Sequence, residues 1–271
     1  ARGTATLRSA ESEPPLRAEL FSSLQMEQHG QALAHAHHVG RSRPPDTLLP
    51  RLTENQTLLA QACALLMESV RQNRQITPAD EWLLDNFYLI EEQIRLAKRH
   101  LPKGYSRSLP KLDTGPSQGL PRVYDIALEM ISHSDARIDA AGIQAFVAAY
   151  QVVTPLQLGE LWAIPIMMRL GLIENLRRVA IRLAYANMNR GLADTWADTM
   201  RKSAEEDPTS LILVIANMAR SNPPIDGSFV AELARRLQGH GPALALPLTW
   251  FEQRLAQSLS LIHISEPTRP Y

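Results

Sequence analysis

The sequence contains a single cysteine, Cys63, and no excess of charge of either sign. One thiol can form neither an intrachain disulfide nor a site of several thiolates for a metal, and it is most simply interpreted as belonging to a reducing compartment. Lys plus Arg and Asp plus Glu both number 28, so the formal net charge is zero. Nucleic-acid and anionic-membrane binders rely on an excess of basic charge. We therefore expect no nucleic-acid partner.

The sequence also lacks a signal peptide, an initiator Met and a long uncharged apolar run. The nearest apolar run, residues 161–173, contains Pro165 and Arg169 and falls short of the roughly 18 residues that would suggest a membrane span. Residues 259–269, LSLIHISEPTR, resemble the translation of a transposase-type sequencing adapter. We therefore interpret residues 259–271 as a foreign tail and the chain as a soluble fragment truncated at both ends.

Catalytic signatures are scarce. The sequence has no G-x-G-x-x-G, phosphate loop, H-E-x-x-H or G-x-S-x-G motif. The carboxylate pairs Glu91–Glu92 and Glu205–Glu206 are adjacent on helices, so their members point in different directions and we predict solvated helix faces. Aromatic residues make up only 6%, few for a protein that stacks on sugars. We predict no catalytic residue and no cofactor in this chain.

The clearest helix begins at Thr77, within residues 77–110. Thr77 suits an N-cap, Pro78 the first turn, and Asp80 the positive end of the helix dipole. Apolar residues then cover most of the circumference, and the helix ends near Leu101. Such a helix is expected to be central and to pack on two or more partners.

The other segments also have helical periodicity. A long helix is predicted from Thr154 to residue 187, kinked or interrupted at Pro165, and a short one from Asp207 that ends at Asn222. Further helices are predicted over residues 19–39, 52–72, 123–132, 140–152, 194–204, 229–237 and 248–256. No stretch alternates with period two. The predicted fold class is all-α, an irregular bundle of about eight or nine helices. We divide the chain into residues 1–50 (polar arm, first helix and linker), 51–258 (helical domain) and the tail.

Seven charged residues on two of these helices form a candidate polar cluster. If the helices pack together, Arg95, Arg177 or Arg178 would pair with carboxylates across the interface. We interpret this first as an ion-pair network that fixes helix register, and second as a ligand-binding cleft. The cluster consists of Asp85, Glu92, Arg95, Glu160, Glu174, Arg177 and Arg178.

Histidines are concentrated in the first helix. His35 and His38 lie one turn apart and could share a metal, whereas histidines at a helix end also suit the negative end of its dipole. We favour the second interpretation and predict no metal site.

Five ordered blocks resemble the N-terminal region of the bacterial cyclic β-1,2-glucan synthases, and they span roughly residues 52–180. The blocks are LTENQTLL, TPADEWLLDNFYLIEEQIR, LPKGYSRSLPKL, GLPRVYDIA and QVVTPLQLGELWAIPIMMRLGLIENLRRVA.

The resemblance implies a multi-pass inner-membrane glycosyltransferase that builds a β-1,2-glucan from UDP-glucose, adjusts its length with a phosphorylase-type domain and closes it into a ring. A divalent metal would accompany UDP-glucose in such a parent enzyme. The sequence lacks the D-x-D and Q-x-x-R-W motifs of such transferases, so the resemblance assigns no catalytic residue here.

Three functions are compatible with these observations. The first is a non-catalytic module on the cytoplasmic side of the inner membrane. It would pack on or regulate the transferase and membrane domains of the same chain, and guide donor or glucan. The second is an independent helical interaction module fused to other carbohydrate-active domains. The third, an α/α-type glycosidase, is weakened by the lack of an acid–base pair.

Overall fold

The computed structural model describes residues 13–40, 45–101, 104–134 and 137–238. Within these ranges the chain forms nine α-helices and no strand, and its only bridges of β type are isolated ones at Val39–Leu112 and Lys111–Pro121. The all-α prediction is confirmed. The helices are α1 (Ser23–Ala36), α2 (Leu48–Arg71), α3 (Pro78–Asp85), α4 (Phe87–His100), α5 (Arg122–His133), α6 (Ala140–Val153), α7 (Leu158–Glu206), α8 (Leu211–Ser221) and α9 (Gly227–Leu237).

The chain divides into two compact units. Unit 1 comprises residues 1–64 and 77–183, and unit 2 comprises residues 65–76 and 184–271. The helices α2 and α7 therefore contribute residues to both units. No helix among the described residues is long and apolar enough to cross a membrane.

The start of the central helix is confirmed, but its continuity is not. Thr77 and Asp80 form a reciprocal capping box, with the Thr77 amide donating to Asp80 Oδ2 at 2.8 Å. The predicted single helix is wrong, because Asn86 leaves the helical conformation and separates α3 from α4. The Asn86 side-chain amide donates to the Trp82 carbonyl at 2.8 Å. Asparagine commonly binds nearby backbone in this way and so competes with the regular helix.

The prediction that Thr154 begins the long helix is also wrong. Thr154 caps the C-terminus of α6, its amide donating to the Tyr150 carbonyl at 3.1 Å. The next helix, α7, begins only at Leu158, passes through Pro165 without interruption and continues to Glu206. The segment 194–204 is therefore part of α7 and not a separate helix.

The segment that follows α4 is partly buried. Ser106 and Leu109 are buried. The Asp46 carboxylate binds this segment: it accepts hydrogen bonds from the Ser106 hydroxyl at 2.6 Å and from the Gly104 amide at 3.2 Å. Gly104 has φ +85°, a conformation that favours glycine. A fixed carboxylate acceptor thus compensates the polar groups of a buried loop.

The N-terminal segment docks on the helices of unit 1. Of the predicted polar arm, residues 1–12 lie outside the described ranges, and residues 13–19 belong to unit 1 and contact α5 and α7. The Leu16 amide donates to Asn175 Oδ1 at 2.8 Å. The predicted helix over 248–256 and the tail 259–271 lie outside the described residues.

Unit 2 has its own apolar core. Asp207 caps a 3-10 turn that leads into α8, and Asn222 ends α8 with φ 47°, so both predicted signals are confirmed. Asp226 caps α9 by accepting from the Phe229 amide at 2.8 Å. The core residues are Ala193, Ala197, Met200, Leu211, Met218, Phe229, Leu233 and Leu237.

In unit 1, α1 packs closely on α6 at Gly30. A Cβ at Gly30 would lie 3.0 Å from the Phe146 carbonyl oxygen, a backbone atom that cannot rotate away. The absence of a side chain at residue 30 therefore sets the distance between these two helices.

We expect Gly30→Ala to lower the free energy of unfolding by about 1–3 kcal/mol, because the new methyl group forces the helices apart. Gly159→Ala is the matched control, since nothing lies within 4 Å of its added Cβ, and its effect should stay within about 0.5 kcal/mol. Chemical denaturation of both variants checks this. Equal losses would contradict the proposed role of Gly30.

Candidate functional site

The centre of unit 1 contains a fully buried carboxylate, Glu174 on α7. It accepts hydrogen bonds from Arg51 Nε of α2 at 2.5 Å and from the Tyr124 hydroxyl of α5 at 2.6 Å. A second Arg51 nitrogen also pairs with it. Arg178, one turn along α7, donates from Nη2 at 2.7 Å. Groups from three helices therefore converge on one carboxylate.

These contacts determine the ionisation of Glu174. Burial alone would raise the pKa of the carboxyl, but the hydrogen bonds and charge of Arg51, with the bonds from Tyr124 and Arg178, lower it to about 2. Burial and the adjacent carboxylate raise the pKa of Tyr124. Glu174 is thus a permanent anion at neutral pH, which suits it to hold helices together and not to transfer a proton.

A second buried ion pair joins the first turns of two helices. Arg122 of α5 binds Glu160 of α7 in a bidentate arrangement, with Nε at 2.6 Å and Nη2 at 2.7 Å from the two carboxylate oxygens. Arg122 also donates to the Pro155 carbonyl at 3.0 Å. Glu160 accepts the Gln157 amide at 2.9 Å, so the same carboxylate caps α7.

A third polar chain runs through His37. Its Nδ1 lies 2.9 Å from the Tyr150 hydroxyl and its Nε2 lies 2.9 Å from Asp125 Oδ2, while Asp125 accepts from Ser117. The order of tyrosine, histidine and aspartate is one that proton relays use. Tyr150 is fully buried, however, so a substrate cannot reach this hydroxyl.

The structure divides the seven residues of the candidate cluster. Asp85, Glu92 and Arg95 are exposed, and no ion pair forms for them within the described ranges. The remaining four, Glu160, Glu174, Arg177 and Arg178, all lie in unit 1 and take part in ion pairs.

Arg177 and Arg178 bind the N-terminal segment. Arg177 pairs with Glu13, and Arg178 donates to the Pro14 carbonyl at 3.0 Å. Whether any of the seven residues binds a ligand stays a prediction.

Sequence reasoning missed Arg51, Arg122 and Tyr124. Arg122 and Tyr124 stand among the apolar residues of α5, a pattern that could have indicated buried polar positions needing partners. Arg51 carries no comparable signal, because the partner to which it binds is 123 residues away.

The other sequence-based candidates are exposed. His35 and His38 both face solvent, and His38 Nδ1 lies 2.9 Å from the Ala36 carbonyl oxygen. Both adjacent carboxylate pairs are exposed as well, which confirms the prediction of solvated helix faces.

A largely apolar groove, which we call the tryptophan groove, lies between α3–α4 and α7 within unit 1. Its cavity measures about 410 Å³. Trp82, exposed by 56%, and Leu89 form one wall, whereas the expectation of a buried central helix required both to be covered. The lining residues are Trp82, Asn86, Leu89, Ile90, Gln93, Pro165, Met168, Arg169, Leu172, Ile173 and Leu176.

The described part of the chain is thus an all-α protein in which the buried side chains of Arg122, Glu160, Glu174 and Arg177 are held in ion pairs. No family model matches it. Over 205 residues it is 31% identical to the cyclic beta-(1,2)-glucan synthase NdvB of Rhizobium meliloti (strain 1021). The match covers 76% of this chain but 7% of that relative, so the chain spans a small part of the curated relative it matches. The resemblance to cyclic β-1,2-glucan synthases is confirmed.

We expect Glu174→Gln to lower the free energy of unfolding by about 3–5 kcal/mol, because two arginines lose their buried counter-charge. Glu68→Gln is the control, since Glu68 forms an exposed pair with Arg71, and it should cost at most about 0.5 kcal/mol. Urea denaturation of both variants at neutral pH provides the comparison. A similar loss of unfolding free energy in the two variants would show that the buried network stabilises the fold no more than an exposed ion pair does.

The lowered pKa of Glu174 also predicts acid sensitivity. The unfolded carboxyl titrates near 4.5 and the folded one at about 2, so the stabilisation is complete above 4.5 and is lost as the pH falls toward 2. The difference in unfolding free energy between the unmodified chain and Glu174→Gln should shrink by about 2 kcal/mol between about pH 6 and about pH 3. Denaturation curves at several pH values measure it, and a constant difference would contradict the assignment.

Proposed function

We propose that this chain is part of a cyclic β-1,2-glucan synthase and forms a non-catalytic helical module that packs on and regulates the transferase domain of the same protein. The observation that carries this proposal is the 31% identity to NdvB over 205 residues. In the proposal, the longer protein transfers glucosyl units from UDP-glucose to a β-1,2-glucan, and this module lies on the cytoplasmic side of the membrane.

The state of the buried carboxylates supports a non-catalytic role. A glycosyl-transfer or hydrolysis site needs a carboxyl group that can exchange a proton or attack an anomeric carbon. Glu160 and Glu174 are fully buried and each is held by arginine, and the low pKa of Glu174 keeps it ionised. Both carboxylates therefore serve to fix helices.

The exposed face of α7 supports a packing role. Leu158, Trp162, Pro165, Arg169 and Leu172 recur at spacings of four and three, which places them along one helix face. Leu158 and Trp162 are exposed by 66% and 75%. A largely apolar exposed surface of this kind is typical of an interaction site.

The occupant that we propose for this face and the tryptophan groove is another domain of the synthase. The match covers only 7% of the relative, so a synthase of that length has many further residues that could cover the surface. The polar groups at the groove, Asn86, Gln93 and Arg169, are few beside its apolar lining, as is usual for an interface core with a polar rim. Glucan binding in the groove is the competing outcome.

The experiment compares Leu172→Asp with Ile212→Asp in the chain and in the full-length protein that contains it. Both side chains are exposed and apolar, so neither change should unfold the chain, but only Leu172 lines the groove. An aspartate buried in an apolar interface carries a desolvation cost of several kcal/mol. Leu172→Asp should weaken binding to the separately purified transferase part by about tenfold or more, whereas Ile212→Asp should not.

Calorimetry measures this affinity, and glucan formation from UDP-glucose measures the effect on activity. Equal affinities for the two variants would contradict docking through the groove. Binding of β-1,2-glucan oligomers that Leu172→Asp abolishes would show that the groove binds sugar instead. Turnover of UDP-glucose by the chain alone would refute the non-catalytic assignment.

A further inference from the structure

Three side chains with metal-binding chemistry meet on unit 1 beside the segment 18–21. They are His29 of α1 and, one turn apart on α5, Glu129 and His133. One imidazole nitrogen or carboxylate oxygen of each lies within 4.8 Å of the others. The cluster is separate from the Glu174 network and from the tryptophan groove. No part of the proposed function uses it.

The geometry around Glu129 is close to that of a metal ligand set. Its Oε2 lies 2.9 Å from His29 Nε2 and 3.5 Å from His133 Nε2. Ligands bound to Zn²⁺ at about 2.0–2.1 Å in a tetrahedron lie roughly 3.3–3.4 Å apart. These two distances lie on either side of this value, and all three ligand atoms lie within 4.8 Å of one another. Modest side-chain movements would therefore bring them into one coordination sphere.

His133 is also oriented as metal-binding histidines are. Its Nδ1 lies 2.8 Å from the Glu19 carbonyl oxygen, and because a carbonyl can only accept, Nδ1 donates the hydrogen. In the neutral ring the lone pair is then on Nε2, which faces Glu129. A backbone carbonyl bound to the second nitrogen is the usual way in which a protein fixes the tautomer of a metal-binding histidine.

The surroundings hold the His133 ring in place. Phe21 stacks on it with ring centroids 3.9 Å apart and planes inclined by 10°. The Phe21 amide donates to the His133 carbonyl at 3.1 Å, and the Ala18 amide donates to the Ser132 carbonyl at 3.0 Å. The backbone that supplies the Glu19 carbonyl is therefore fixed to the end of α5.

We propose that His29, Glu129 and His133 bind a divalent transition-metal ion, Zn²⁺ in the first place, with a fourth position open to water or another ligand. Two imidazoles and one carboxylate suit Zn²⁺ and its neighbours far better than Mg²⁺ or Ca²⁺, which require oxygen ligands. The side chains of His29 and Glu129 are 24% and 32% exposed, and that of His133 is 12% exposed. The site therefore has a rigid inner ligand and an open outer side.

The metal would link α1 to α5. In the metal-free state His29 Nε2 donates its hydrogen to the Glu129 carboxylate. Metal binding at this nitrogen requires that the hydrogen leave it. Binding should therefore release a proton or shift the tautomer, as is general for histidine ligands. The alternative is that His29 and Glu129 form an ion pair without metal affinity. Only a metal site would bind added Zn²⁺ in a saturable way.

The test uses the full chain, freed of metal with a chelator and titrated with Zn²⁺ and with Co²⁺. We expect one equivalent to bind, an increase of the thermal midpoint, and visible absorption of Co²⁺ in a low-coordinate nitrogen–oxygen site. His29→Gln and Glu129→Gln should each weaken Zn²⁺ binding by about 100-fold or more and remove the thermal shift.

The double variant His35→Gln/His38→Gln is the matched control, because these exposed histidines lie on or just after the same helix as His29. It should bind Zn²⁺ as the unmodified chain does. Circular dichroism identifies any variant that fails to fold, and His29→Gln, which removes one of the two more exposed ligands, remains informative if Glu129→Gln unfolds. Absence of saturable binding in the unmodified chain, or equal weakening by the control, would overturn the proposal.

Discussion

The arrangement of unit 1 depends on keeping one buried negative charge compensated. Glu174 has no access to water, and an isolated carboxylate in such a place would be strongly disfavoured. Arg51, Tyr124 and Arg178 must therefore be present together, which fixes the positions of α2 and α5 relative to α7 within this unit. Apolar contacts have little directional preference, whereas a carboxylate that accepts from three specific side chains favours one arrangement of the helices that carry them.

Much of the fold was predictable because its signals are local. The Thr77–Asp80 capping box, the Asp207 start and the Asn222 end each depend on residues within a few positions of one another. The Asn86 break was missed because one asparagine interrupts an apolar pattern that continues on both sides. Thr154 was misassigned because Thr-Pro suits the beginning of a helix, yet here the preceding helix uses the threonine to end.

The Glu174 network was less predictable than the helices, because the residues that bind Glu174 are distant from it in sequence. Glu174 and Arg178 were both included in the candidate cluster, but Arg51 and Tyr124 reach Glu174 only through tertiary packing. The histidine cluster was missed for the same reason. His35 and His38 were considered as metal ligands because they are close in sequence. His29 lies 100 residues before Glu129, the α5 residue that it contacts. Hydrophobic periodicity also cannot show whether an apolar helix face is buried within its own chain or exposed to solvent. Trp82 lies on an exposed face.

The ion pair between Arg122 and Glu160 has a consequence for how the longest helix forms. Glu160 caps the first turn of α7 through the Gln157 amide while its two oxygens are held by an arginine from the start of α5. The beginning of α7 is therefore not encoded in its own sequence alone. Without α5, Glu160 would lack the partner that makes its burial tolerable. The first turn of α7 and the docking of α5 within unit 1 therefore depend on the same ion pair.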